Sequence, residues 1–177
     1  MKRDIQSVDD DIVRKKRIIE RKLYEDPDII EILDDPDVDP DCPEEIIYSS
    51  IYPCIRIPGT QDVSKNFITF SIDDTERMPY NQVMKTQIVQ FVIFVHKDHI
   101  KTKYGIARHD LLGFIVRDLF HLSNCLGAQM EIISNKEYVT DTDYMTRTLK
   151  FELITDNSTK PLRTNPYEYD RIIGHRG

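Results

Sequence analysis

The chain has 177 residues, of which 40% are hydrophobic and 31% charged, and its formal net charge at pH 7 is -7. This length suits one domain of moderate size with a real core. The acidic balance disfavours a nucleic-acid-binding surface, because such surfaces need basic residues to displace counterions. No apolar run approaches about 18 residues, so no membrane-spanning helix is expected. The N-terminus also lacks the apolar segment of a signal peptide.

Three cysteines, Cys42, Cys54 and Cys125, follow no spacing pattern. An odd, unpatterned set is typical of free thiols in a reducing compartment. We therefore expect inert or buried thiols and synthesis in a cytoplasm.

The N-terminal third predicts two helices. Residues 1–8 are expected to be disordered, and the carboxylates of residues 9–11 favour a helix start. An apolar stripe follows at helical spacing: Ile12, Val13, Ile18, Ile19 and Leu23. Asp26 and Pro27 interrupt the helix, and a short second helix is predicted over residues 28–33.

The segment Asp34–Glu45 predicts a solvated acidic loop. It contains three prolines and a block of carboxylates. The alternating aspartates invite comparison with a calcium loop that begins at Asp35. That alignment places Pro40 where a glycine is required and Ile46 where a bidentate glutamate is required, so no metal site is predicted.

Three strands are predicted before the central helix. Residues 51–57 have strand-forming side chains, and Pro53 restricts them to a sheet edge or bulge. Residues 66–72 alternate well, and residues 73–82 are a predicted polar connection. Residues 84–95 are apolar on both faces, as in a strand buried on both sides. One face carries Val89, Phe91, Ile93 and Val95, and the other carries Ile88, Val92 and Phe94.

A helix over Gly105–Leu122 is the predicted centre of the fold. Leu112, Ile115, Val116, Leu119 and Leu122 recur on one helical face, which Leu111, Phe114 and Phe120 widen. Asp110, Arg117 and His121 are expected in the narrow polar sector opposite. This apolar stripe should cover one face of strand 84–95. The other face then needs the N-terminal helix or a second molecule.

The C-terminal part predicts two returning strands, residues 128–133 and residues 147–154, joined by a polar loop over residues 134–146. Leu149, Phe151 and Leu153 should point inward. The predicted fold is α+β: a mostly antiparallel sheet packed by one long central helix and an N-terminal helix pair, with an extended C-terminal tail. We expect a single domain, with a globular core over residues 9–154 and an arm over residues 155–177.

Candidate chemistry is sparse. His96 and His99 leave a strand, where no fixed geometry holds both rings on a metal. The sequence contains neither a nucleophile elbow nor a glycine-rich phosphate loop. We therefore predict no catalytic, cofactor-binding or metal-binding residues and no enzymatic activity, although a small cytoplasmic enzyme with an unrecognised site stays an alternative.

Four segments carry a family resemblance: YPCIRIPGTQ from Tyr52, NFITFSIDD, MKTQIVQFVIFVHKD and YGIARHDLLGFIVRDLF. Together with the later TRTLKFEL, they resemble neck proteins of tailed bacteriophages, and most of all tail-terminator (tail-completion) proteins. The resemblance covers residues 16–153. The acidic loop and the tail after Thr155 depart from it.

The resemblance implies a structural virion protein of the neck, made in the bacterial host cytoplasm. It would form a ring of six copies that caps the tail tube, ends its polymerisation and joins the tail to the head-side connector. The implied partners are sister copies, the tail-tube protein and a head-completion or connector protein. DNA would pass through the lumen without specific binding. A head-closure (stopper) ring or head-tail adaptor ring is the first alternative, and an unrelated adaptor module that binds through residues 134–146 is the second.

Subunit contacts are expected from the second face of the central strand, from the polar loop and from the tail. The predicted interface residues are Ile88, Val92, Phe94, Tyr138, Tyr144, Pro161, Tyr167 and Tyr169. An aperiodic tail suits an arm that orders on a neighbouring copy, because ring contacts are heterologous.

Overall fold

The structure is a computed structural model that describes residues 11–39, 42–57, 64–78, 81–139 and 143–156. Its helices are α1 (Asp11–Tyr24), α2 (Pro27–Leu33) and α3 (Arg108–Phe120), and short 3₁₀ turns span Pro43–Ile46 and Lys97–His99. Its strands are β1 (Ile51–Tyr52), β2 (Phe67–Met78), β3 (Asn81–His96), β4 (Glu131–Val139) and β5 (Tyr144–Asp156). The predicted α+β class is confirmed.

The five strands form one sheet in the order β1-β2-β3-β5-β4. β1 runs parallel to β2, and the other three pairs are antiparallel. β3 lies at the centre, where Phe91 is opposite Phe70 of β2 and Leu149 of β5. The predicted antiparallel character of the sheet is therefore confirmed as well.

All three helices pack on the same face of the sheet, which we call the helix face. The core there is built around Phe91, whose ring stacks on Phe120 of α3 at 4.9 Å and meets Phe151 of β5 edge-on at 5.7 Å. Helices α1 and α2 bury Ile19, Leu23, Ile29, Ile32 and Leu33 in this same core. The N-terminal helix therefore does not cover the opposite face, and that alternative was wrong.

The predicted polar connection over residues 73–82 is also wrong, because β2 continues to Met78 and β3 begins at Asn81. Polar side chains pair across the two strands here. Lys85 donates to Asp74 at 2.8 Å, and Gln87 donates to the same carboxylate at 2.6 Å. Such cross-strand pairs stabilise a hairpin without an apolar face.

Two further strand boundaries differ from the prediction. The strand expected over residues 51–57 is reduced to β1, because Pro53 follows Tyr52 and cannot donate to a ladder. The polar loop expected over residues 134–146 is instead mostly strand. β4 extends to Val139, β5 begins at Tyr144, and the two strands pair as a hairpin. Leu149, Phe151 and Leu153 are buried as predicted.

The central helix is confirmed but shorter and less apolar than predicted. It ends at Phe120, and Leu122 lies beyond it in a left-handed conformation with φ 59°. Leu112, Val116 and Phe120 are buried, whereas Phe114 is 54% exposed and does not belong to the buried stripe. None of the described helices is long and apolar enough to cross a membrane.

Several predicted features lie outside the described residues. These are the N-terminal residues 1–8 and the tail from residue 157, including Pro161, Tyr167 and Tyr169. The first two residues assigned to the arm, Thr155 and Asp156, belong to β5.

Candidate functional site: the second face and the edges of the sheet

The face of the sheet opposite the helices, which we call the back face, carries a compact aromatic cluster at one end. Its members are buried and come from β1, β2, β3 and β5: Tyr52, Phe67, Val92, Phe94 and Tyr144. Ring centroids lie 5.9 Å apart for Tyr52 and Phe67, and 6.2 Å apart for Phe67 and Tyr144. The Arg56 guanidinium lies 4.5 Å from the Tyr52 ring centroid, a cation–π contact.

The centre of the back face is polar and half-buried. Ser71 of β2 is opposite Gln90 of β3, which is opposite Lys150 of β5. None of these three side chains is fully buried, and the neighbouring Ile88 is half-buried. The back face thus combines an apolar end with a polar centre.

The described members of the predicted interface fall into two groups. Val92, Phe94 and Tyr144 lie within the buried aromatic cluster, where Tyr144 is only 4% exposed. Ile88 is half-buried on the same face, and Tyr138 lies on β4 with half of its side chain exposed. A contact role for these residues stays a prediction.

Sequence reasoning predicted a strand over residues 128–133, which overlaps the start of β4, but assigned residues 134–139 of this edge strand to a loop. Every residue from Asn135 to Val139 is exposed. Val139 is 75% exposed, and Ile133, near the start of the strand, is 50% exposed. Its alternating partners in β5 were the available signal, but a polar strand with few β-branched residues resembles a loop in sequence.

A polar cluster connects α3 to this edge strand. The buried His109 places Nε2 3.2 Å from Oε1 of Glu137 and 3.7 Å from Oδ1 of Asp110. Arg147 of β5 donates to the same Asp110 oxygen and, at 2.9 Å, to the side-chain oxygen of Asn135. Within the described residues, His109, Asp110 and Glu137 are the group whose ligand atoms could surround a metal ion.

The contacts of this cluster favour a structural role over metal binding. The Arg147 guanidinium already occupies the Asp110 oxygen that a metal would need, and its positive charge would repel a cation nearby. Asp110 instead neutralises Arg147, and both Asp110 and Glu137 stand beside His109. We interpret the group as a clasp that fixes β4 and β5 to α3.

The acidic loop is paired with a cation from outside it, Lys65, which lies just before β2. The Lys65 ammonium lies 3.0 Å from Asp35 and also contacts Asp37. Asp35 accepts hydrogen bonds from the hydroxyls of Ser49 and Ser50, each at 2.6 Å. Burial, the largest single influence, raises the pKa of Asp35, but the hydrogen bonds from Ser49, Ser50, the Asp37 amide and Lys65 together lower that pKa to about 2. The loop is therefore held to neighbouring segments through Asp35 rather than simply solvated.

The described structure defines a class: a small α+β protein in which three helices cover one face of a five-stranded sheet. A family model described as YomW matches residues 24–153. Because the match spans well over half of the sequence, the chain belongs to the YomW family. This family is phage-related, and the chain is accordingly a phage-associated protein. No curated protein matches the chain.

Proposed function

We propose that the chain is a structural protein of a phage neck that forms a ring, caps the tail tube and ends its polymerisation, as a tail terminator does. In this role it would contact sister copies, the tail-tube protein and a head-side connector protein. The protein would act in the virion after synthesis in the host, and it would need no cofactor or catalytic residue.

The proposal rests on one observation: the terminator resemblance and the family match cover nearly the same residues. The sequence resembles tail terminators over residues 16–153, and the phage-related family model matches residues 24–153. Both stretches end at Leu153 in β5, and both contain the described helices and strands except for residues of α1 and the last three residues of β5. The phage-related family and the terminator resemblance therefore concern the same folded unit.

The charge of the chain is compatible with a DNA conduit. A net charge of -7 per copy would disfavour adhesion of DNA to the lumen, since like charges repel. DNA would then slide through the ring without specific contacts. Strong binding of duplex DNA at physiological salt would argue against this part of the proposal.

Electron microscopy of the purified protein, alone and mixed with a polymerising tail-tube protein, tests the proposal. A terminator should produce rings at tube ends and arrest elongation, so that tubes become shorter as the protein is added. Unchanged tube growth together with rings bound to the connector would instead identify a head-closure (stopper) or adaptor ring. A strict monomer that binds neither tubes nor connector would overturn the neck assignment and leave the unrelated adaptor module.

A further inference from the structure

The sheet ends on both sides in a backbone edge that lacks a strand neighbour among the described residues. On one side the outer edge of β4 pairs with no described strand. On the other side β1 pairs only with Ile68 and Thr69 of β2, so the stretch of β2 from Phe70 to Asp74 has no outer strand in the described part of the chain. Rows of backbone N–H and C=O groups at such edges are templates for pairing with another chain.

Strand directions make these two edges complementary. The four long strands β2, β3, β5 and β4 alternate in direction across the sheet. Because their number is even, β4 of one copy runs antiparallel to β2 of a second copy placed beside it in the same orientation. We propose that the outer edge of β4 pairs antiparallel with the outer edge of β2 from a second copy of this chain.

Charge complementarity fixes the register. Lys136 of β4 is opposite Thr148, which is opposite Val92 on the back face. Asp73 of β2 is opposite Ile88, so it lies on the back face too. Both charged side chains are exposed. Placing Lys136 opposite Asp73 joins opposite charges across the two strands.

This register also fits the available length of edge. With Lys136 opposite Asp73, Tyr138 lies opposite Ser71 and Val139 lies opposite Phe70. The pairing then ends where β1 begins to cover β2, at Thr69. The exposed side chains of Tyr138 and Val139 would gain cover from the second copy, which increases the favourable burial of apolar surface.

A protective role is the competing explanation for the charges on β4, because lysines and bulges commonly prevent edge-to-edge association. β4 does have a bulge between Ile132 and Ser134. Beyond that bulge, however, its last two residues expose apolar area that protection does not require. The contact is heterologous, so it can pass from copy to copy and close a ring. The ring that this contact would close is the ring of the proposed function, so the inference rests on that function.

Two charge reversals test the contact. Lys136→Asp and Asp73→Lys each replace an attractive pair with a repulsive one, so each variant alone should self-associate about tenfold more weakly at low salt. Both positions are exposed, and circular dichroism should show an unchanged fold. Analytical ultracentrifugation of the full chain, alone and with the tail-tube protein, measures the association.

An equimolar mixture of the two variants provides the sharper result. In a mixed assembly, the aspartate introduced at position 136 of one variant meets the lysine introduced at position 73 of the other, and the remaining contact pairs the native residues. Mixing should therefore restore association to the wild-type level, as should the double variant Lys136→Asp/Asp73→Lys. Lys101→Asp, at an exposed position in the segment between β3 and α3, is the matched control and should change nothing.

Besides unchanged assembly of the reversal variants, three results would overturn the edge contact. They are equal weakening by the Lys101 control, failure of the mixture to recover, and absence of self-association at any concentration with or without tail-tube protein. If the reversals leave assembly unchanged while the protein still arrests tubes, the β4–β2 contact is wrong and the terminator function survives. If the mixture recovers but tubes grow unhindered, the contact holds and the terminator function fails.

Discussion

Gly113 of α3 lies directly against the side chain of Arg147 on β5. A Cβ atom built on Gly113 would be 2.6 Å from Cδ and 3.0 Å from Nε of Arg147. The Arg147 guanidinium is held in turn by Asp110, one helical turn earlier on α3, and by Asn135 on β4. The absence of a side chain at residue 113 therefore permits the clasp between α3 and the edge of the sheet.

We expect Gly113→Ala to destabilise the protein by about 1–2 kcal/mol, because an added methyl group displaces Arg147 from a filled space. A loss of stability would be informative, since alanine is favoured over glycine within a helix by about 0.8–1 kcal/mol when nothing else changes. Urea unfolding of both proteins, followed by circular dichroism, measures the difference.

The Arg147→Ala background is the control for this substitution. Once the arginine side chain is gone, Gly113→Ala should stabilise the protein by its helix propensity alone. Stabilisation already in the wild-type background would mean that Arg147 moves aside at no cost, and the close approach would then have no energetic weight.

A second prediction concerns the centre of the core. Phe91→Ala should cost about 3–5 kcal/mol, because the ring is fully buried among Phe70, Phe120 and Phe151 and its loss leaves a cavity. Phe114→Ala removes an exposed ring and should change stability by less than about 0.5 kcal/mol. His96→Ala should cost less than Phe91→Ala but more than Phe114→Ala, because the His96 side chain is only 13% exposed and its ring centroid lies 5.2 Å from that of Tyr144. Comparable losses for all three variants in chemical denaturation would contradict this assignment of the core.

The parts of the fold that sequence predicted are those set by local periodicity. Val89, Phe91, Ile93 and Val95 recur at the spacing of one face of a strand, and the structure buries all four. Helix α3 was predicted in the same way, from apolar residues that recur at helical spacing. The predicted stripe was too wide because it included Phe114. At 3.6 residues per turn, Phe114 lies roughly 160° around α3 from the centre of Leu112, Val116 and Phe120, so it faces away from the sheet.

What sequence could not predict depends on partners far along the chain. Arg147 and Asp110 are 37 residues apart, and nothing local indicates that they meet. Both strands β2 and β3 were predicted, but their continuation through residues 73–82 was missed, because Asp74 and its neighbours resemble a polar loop until Asp74 is placed opposite Gln87. The candidate edge contact was missed for the same reason, since β4 becomes an edge strand only once its pairing with β5 is known.

A third prediction addresses the network that docks α1 on the sheet. Lys15 is almost fully buried, and its ammonium donates to Asp11 at 2.8 Å and to the side-chain oxygen of Gln87. Lys15→Met should cost about 1–3 kcal/mol, because it leaves the buried Gln87 oxygen without a donor. The double variant Lys15→Met/Gln87→Leu should recover part of that loss, since an apolar pair leaves neither group unsatisfied. A double variant whose loss in urea unfolding equals the sum of the single losses would show that the two side chains are not coupled.

The last prediction is the acid dependence of stability around Asp35. Its pKa is about 2 in the folded protein, compared with an ordinary value of 3.8. A carboxyl whose pKa is depressed by folding stabilises the folded state above its ordinary pKa, and this contribution disappears as the pH falls from 3.8 towards 2. Asp35→Asn should therefore cost on the order of 1–2 kcal/mol at pH 7, allowing for screening by solvent. The difference in unfolding free energy between wild type and variant should close over that acid range.

Asp118→Asn, which alters an exposed carboxylate on α3, is the control. A gap that stays constant from about pH 7 to about pH 2 would mean that the charge of Asp35, and with it the Lys65 contact, does not stabilise the loop.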